Sequence, residues 1–85
     1  METATAVEVI EVLGPGCPRC HETFRVVRHV VESAQLGCRV QKVEDMARLL
    51  ELGVLRTPAI AFDGRVVCSG RIPKSEEVRK LLGLE

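Results

Sequence analysis

With 85 residues, twelve basic and twelve acidic side chains and no net charge, the chain carries no field that would draw nucleic acid or an anionic membrane. Two phenylalanines, Phe24 and Phe62, are its whole aromatic complement, so stacking platforms for single-stranded nucleic acid are missing and the core must be aliphatic. An apolar fraction of 46% with 28% charged is that of a globular chain. Its length suits one domain over 1–85, and no apolar run approaches the ~20 residues of a membrane span.

Met1-Glu2-Thr3-Ala4 lack the basic start of a secretory leader, which makes the cytoplasm the expected compartment. Val7 to Leu13 is an apolar, β-branched run broken only by Glu8 and Glu11, and predicts a largely buried strand. Gly14-Pro15-Gly16 interrupts it. From Pro18 to about Ala34 the residues Phe24, Val27, Val31 and Ala34 recur at spacings of three and four, the stripe of an amphipathic helix, with Gly37 as a stop. Cys38 to Val43 predicts a second strand, parallel to the first across a right-handed crossover. Asp45 caps a short helix bearing Met46, Leu49 and Leu50, which Gly53 ends. Ala59 to Phe62 and Arg65 to Cys68 flank Asp63-Gly64, a strong hairpin signal. Pro73 to Leu82 predicts a last helix with Val78, Leu81 and Leu82 on one face. The order is β-α-β-α-β-β-α, an α/β chain whose mixed sheet is parallel in its first half and antiparallel in its hairpin.

Chemistry concentrates at Cys17-Pro18-Arg19-Cys20, where the first strand hands over to the first helix. Pro18 suits the first helical position, where its missing N–H costs nothing. Cys17 then becomes the N-cap, and the unpaired N–H groups and helix dipole favour its thiolate. Lowering a thiol pKa from about 8.5 to about 7 raises the thiolate at neutral pH from a few per cent to roughly half. Cys20, three residues on, shares the same helical face within disulfide reach. Arg19 and His21 add positive charge beside the pair. A soft-metal carrier or sensor using Cys17 and Cys20, with His21, is the alternative. A closed zinc site needs four ligands, whereas Cys38 and Cys68 are solitary and fall on strands at opposite edges of the sheet.

The segment Gly14-Pro15-Gly16-Cys17-Pro18-Arg19-Cys20 followed by a helix resembles the active-site turn of the thioredoxin and glutaredoxin superfamily. Arg56-Thr57-Pro58 before the third strand resembles that superfamily's cis-proline loop. With the Asp63-Gly64 hairpin, Gly70 and the last helix, the likeness covers nearly the whole chain, and is nearest to the small redox-active disulfide, glutaredoxin-like thioredoxins. The resemblance implies a minimal thioredoxin-like fold, a four-stranded mixed sheet with helices on both faces. It implies thiol–disulfide exchange, with Cys17 as nucleophile and Cys20 as resolving thiol. It further implies a cis Thr57–Pro58 bond, with the Thr57 backbone presenting the substrate as an added strand. Pro18, Arg19 and His21 would form the rim that tunes the thiols. The sole redox group would be the Cys17–Cys20 disulfide, with no cofactor and no metal. The partners implied are a protein disulfide and an upstream reductase or dithiol donor, and the chain is expected to be a monomer.

Several family features differ. Gly16 stands where thioredoxin has a Trp, and Arg19 where glutaredoxin has a Tyr. Of the glutathione grip only Gly70 is near its place, followed by Arg71. A protein disulfide is therefore the expected substrate rather than glutathione. The first strand's acids, Glu8 and Glu11, offer no evident counterpart to the buried acid beneath thioredoxin's second cysteine. Cys38 and Cys68 read as buried core thiols, and His29 as a surface or rim residue. Arg56 reads as a surface charge or as one that steers an acidic partner.

Overall fold

The computed structural model describes residues 7–84, so the reading placed on Met1–Ala4 lies outside the described residues. In chain order the elements are β1 (Val9–Leu13), α1 (Pro18–Ser33), β2 (Arg39–Val43), α2 (Met46–Glu51), β3 (Ala59–Phe62), β4 (Arg65–Ser69) and α3 (Ser75–Leu81). The strands lie in the order β2-β1-β3-β4. β1 pairs with β2 in parallel and with β3 antiparallel, and β3 with β4 antiparallel. This is the expected α/β architecture, a four-stranded mixed sheet with helices on both faces.

Alternation along the central strands sorts the core into two layers. Ile10, Val12, Ile60 and Phe62 point to one face, where Val27, Val30 and Val31 of α1 and Val78 of α3 cover them. Leu13, Ala59 and Ala61 point to the other, beneath Leu49 of α2 and Val54. The register places Ile10 opposite Phe62 and Val12 opposite Ile60, so each face is filled by cross-strand neighbours.

Among the differences from the sequence reading are two element starts and the burial of α2. β1 begins at Val9 rather than Val7, because the amides of Glu8 and Val9 donate to the Asp63 carboxylate (3.2 and 2.9 Å). α3 begins at Ser75 rather than Pro73, since Lys74 is an extended cap with φ −86° and ψ 158°. α2 buries only Leu49, while Met46 and Leu50 are 61% and 74% exposed. Of these three apolar residues of the six-residue helix only Leu49 therefore packs against the sheet. Asp45 does cap this helix, accepting from the Ala47 amide at 3.0 Å.

The topology decides what meets at one end of the sheet. β1, β2 and β4 end there, and β3 begins there. Glu44, Gly14, Pro58 and Gly70 therefore follow one another across the sheet's rim.

Candidate active site

Gly14 continues the parallel ladder past β1, its amide donating to Val43 O at 2.9 Å. The chain then turns through Gly16, whose φ of +89° is a conformation that side-chain-bearing residues avoid. Cys17 follows as the N-cap of α1 (φ −72°, ψ 166°), with Pro18 at the helix start. Its carbonyl accepts from the amides of Cys20 (2.9 Å) and His21 (3.0 Å), which closes the first turn. The two sulfurs are free thiols 3.0 Å apart, Cys17 half-buried and Cys20 only 3% exposed.

Their environments separate them. The Cys17 pKa is lowered, first by the hydrogen bond from the Cys20 thiol and then by the backbone N–H groups of Cys20 and Arg19, which outweigh partial burial. The Cys20 pKa is raised, chiefly by burial and then by donating to Cys17. One thiol is disposed to ionise and the other to keep its proton. That is the division of labour a two-step exchange needs.

Gly14 fixes where the second sulfur sits. A Cβ on Gly14 would lie 2.2 Å from Cys20 Sγ, 3.3 Å from Cys20 Cβ and 3.6 Å from Thr57 Cβ. The Cys20 thiol and the Thr57 side chain thus both pack on this one backbone position. The Thr57–Pro58 bond is cis, Pro58 is fully buried, and its carbonyl accepts from the Gly70 amide at 2.8 Å. Among the described residues the Thr57 N–H and C=O have no hydrogen-bond partner. They present an open backbone edge beside the thiols.

The rim residues point in different directions. Arg19 contributes to Cys17 through its backbone N–H, while its guanidinium reaches away to Gly70 O (3.3 Å). His21 turns toward β2, where Lys42 Nζ donates to its Nδ1 at 3.0 Å and lies 5.3 Å from the Phe24 ring centroid. Pro18 is exposed at the helix start. On the β2 side a Glu44 carboxylate oxygen lies 2.9 Å from where a Cβ on Gly16 would stand. Cys68 is buried on β4, whereas Cys38 is half-buried just before β2, its Sγ donating to Val7 O at 3.2 Å. Among the described residues no three His, Cys, Asp or Glu side chains come together as a metal site would require.

A model of the thioredoxin domain matches residues 8–83. A protein named thioredoxin from Methanocaldococcus jannaschii is 38% identical over 74 residues, spanning 87% of this chain and 85% of that one. A second, from Methanothermobacter thermautotrophicus and also named thioredoxin, is 30% identical over 73 residues, spanning 86% and 95%. The chain belongs to the thioredoxin family. It is accordingly a dithiol–disulfide oxidoreductase of thioredoxin-like fold, and the Cys17–Cys20 pair stands at the start of the first helix of that fold.

Two features of this thioredoxin-family site escaped the sequence reading. Gly14 was legible only as a chain breaker, although a glycine that ends a strand ladder often marks a close approach by another group. Glu11, read from the sequence as an interruption of β1 and as no evident counterpart of thioredoxin's buried acid, is buried at 7% exposure. Both its oxygens accept from Arg48 of α2, at 2.9 Å each, so this buried acid fastens a helix to the sheet.

Proposed function

We propose that this thioredoxin-family chain reduces protein disulfides, with Cys17 as nucleophile and Cys20 as resolving thiol. The observation that carries the reading is the thiol pair itself, 3.0 Å apart at a helix start, with pKa values moved in opposite directions. The Cys17 thiolate attacks one sulfur of the client disulfide. That S–S bond breaks, a Cys17–client disulfide forms, and the departing client sulfur takes a proton. Cys20 then gives its proton to solvent and attacks Cys17 Sγ. The Cys17–Cys20 disulfide forms as the second client thiolate leaves and is protonated. Two electrons have passed to the client, and an upstream reductase or dithiol donor restores the pair.

Thr57 and Pro58 present the client in this reading, the unpaired Thr57 backbone accepting it as an extra strand. Pro18 presets the helix start, and Arg19 and His21 line the rim. No cofactor beyond the dithiol enters the reaction. The cytoplasm, which keeps such a pair reduced, is the compartment in which it works.

Alkylation of the reduced protein across pH, read by peptide mass, tests the assignment. Cys17 is expected to react at pH values below the ordinary thiol range, ahead of Cys20, Cys38 and Cys68. Cys20→Ser is expected to accumulate a mixed disulfide with a peptide client, and Cys17→Ser none. Equal reactivity of all four thiols, or a mixed disulfide on Cys20, overturns the reading.

A further inference from the structure

Resting on that reading, we infer that Arg19 and Arg56 select client segments carrying an acidic side chain beside the disulfide cysteine. The two arginines come from distant parts of the chain, Arg19 from between the cysteines and Arg56 from the residue before Thr57. They converge on Gly70. Arg19 Nη2 donates to its carbonyl at 3.3 Å. The Arg56 stem covers its α-carbon, with Cδ and Cβ 3.2 and 3.3 Å from where a side chain on Gly70 would begin. Gly70 is in turn bonded through its amide to Pro58 O, so both arginines are seated on the residue that braces the client-presenting loop.

Neither guanidinium has an acidic partner among the described residues, and Arg56 has no polar partner there at all. Arg25, Arg28, Arg48 and Arg71, by contrast, are each paired with a glutamate. Two exposed cations held on one residue without a counter-ion repel each other, and most of their donors face only solvent. A carboxylate between them relieves both, and guanidinium forks match it geometrically. On the opposite side of the site a carboxylate, Glu44, stands against Gly16 at the end of β2, while Lys42 of that strand is engaged with His21. A client crossing the rim of the sheet passes from a carboxylate at Gly16 to two guanidiniums at Gly70. Its acid is accommodated on the Gly70 side, next to the open Thr57 edge.

The test uses homodisulfides of short peptides, each with a single cysteine flanked by Glu, by Gln or by Lys. Single-turnover rates are measured with the reduced protein at low and high salt. The Glu peptide is expected to exceed the Lys peptide by about tenfold or more at low ionic strength, with the ratio falling toward one at about 0.5 M salt. Arg56→Glu is expected to shrink or invert that ratio. Because two peptides are compared on one protein sample, any loss of folded protein cancels. Equal rates for Glu and Lys peptides with a rapidly reduced Gln peptide overturn the inference and leave the proposed exchange standing. A Glu preference untouched by Arg56→Glu overturns it as well. A Gln peptide that is not reduced at all overturns the proposed exchange, and the inference with it.

Discussion

A glycine's missing side chain sets the position of the thiol that completes the proposed reaction. Cys20 Sγ occupies the space into which any Cβ on residue 14 would project, at 2.2 Å, far inside van der Waals contact. The sulfur is at the end of a short side chain on the first turn of a helix that Cys17 O and Pro18 pin in place, so it can yield only by turning away from Cys17 or by moving the helix. Gly14→Ala is therefore expected to slow the resolving step on the order of 10–100-fold, since a misplacement of about 1 Å in a reacting group has costs of that size. Attack by Cys17, whose sulfur is not among the three atoms nearest a Cβ on Gly14, is expected to change much less. The split is measured by preparing the Cys17–peptide mixed disulfide and timing release of the second peptide thiol, separately from its formation. Equal slowing of both steps would mean that residue 14 acts on the whole turn rather than on Cys20.

Between elements, the β3–β4 turn does more than reverse the chain. Asp63 and Gly64 have φ of +51° and +86°, the mirror-image turn their types favour. The Asp63 carboxylate also accepts from the amides of Glu8 and Val9, 55 and 54 residues away, and so fastens the start of β1. Asp63→Gly keeps the turn conformation and removes the carboxylate. It is expected to cost about 1–2 kcal/mol in urea unfolding, with faster hydrogen exchange at the Glu8 and Val9 amides. An unchanged midpoint would show that the turn alone carries this residue's value. The same contrast runs through the sequence reading. The Asp45 cap, the Asp63-Gly64 turn, the α1 stripe and the dithiol at a helix start are local patterns, and each was legible from a few neighbouring residues. The Asp63 latch, the Glu11–Arg48 pair and the contact of Cys20 with Gly14 depend on how elements pack. No window of sequence contains the partners of the first two. The exposure of Met46 and Leu50 likewise follows from how little of α2 reaches the sheet.

Across the whole molecule the four thiols link stability to pH with two signs. Burial is the main cause that raises the pKa of Cys20, Cys38 and Cys68 above the ordinary value of 9.0. Above that value the unfolded chain has released protons that the folded chain still holds, so stability falls as pH rises. Cys17 acts oppositely: its lowered pKa contributes stability that is present above the unfolded value and lost as pH falls through the folded one. The urea midpoint of the reduced protein is expected to decline between about pH 8.5 and 10. A Cys38→Ala/Cys68→Ala double variant should flatten that decline, whatever its midpoint at neutral pH, and a slope unchanged by the double variant would assign the decline to other groups. The redox unit is likewise larger than its four-residue motif, because Cys20 rests on a strand end that lies outside it. Transplanting 17–20 alone onto the first turn of another helix would carry the sulfurs without the surface that seats one of them. A portable version has to include the glycine-ended strand from Val9 onward and the Thr57 loop that meets it.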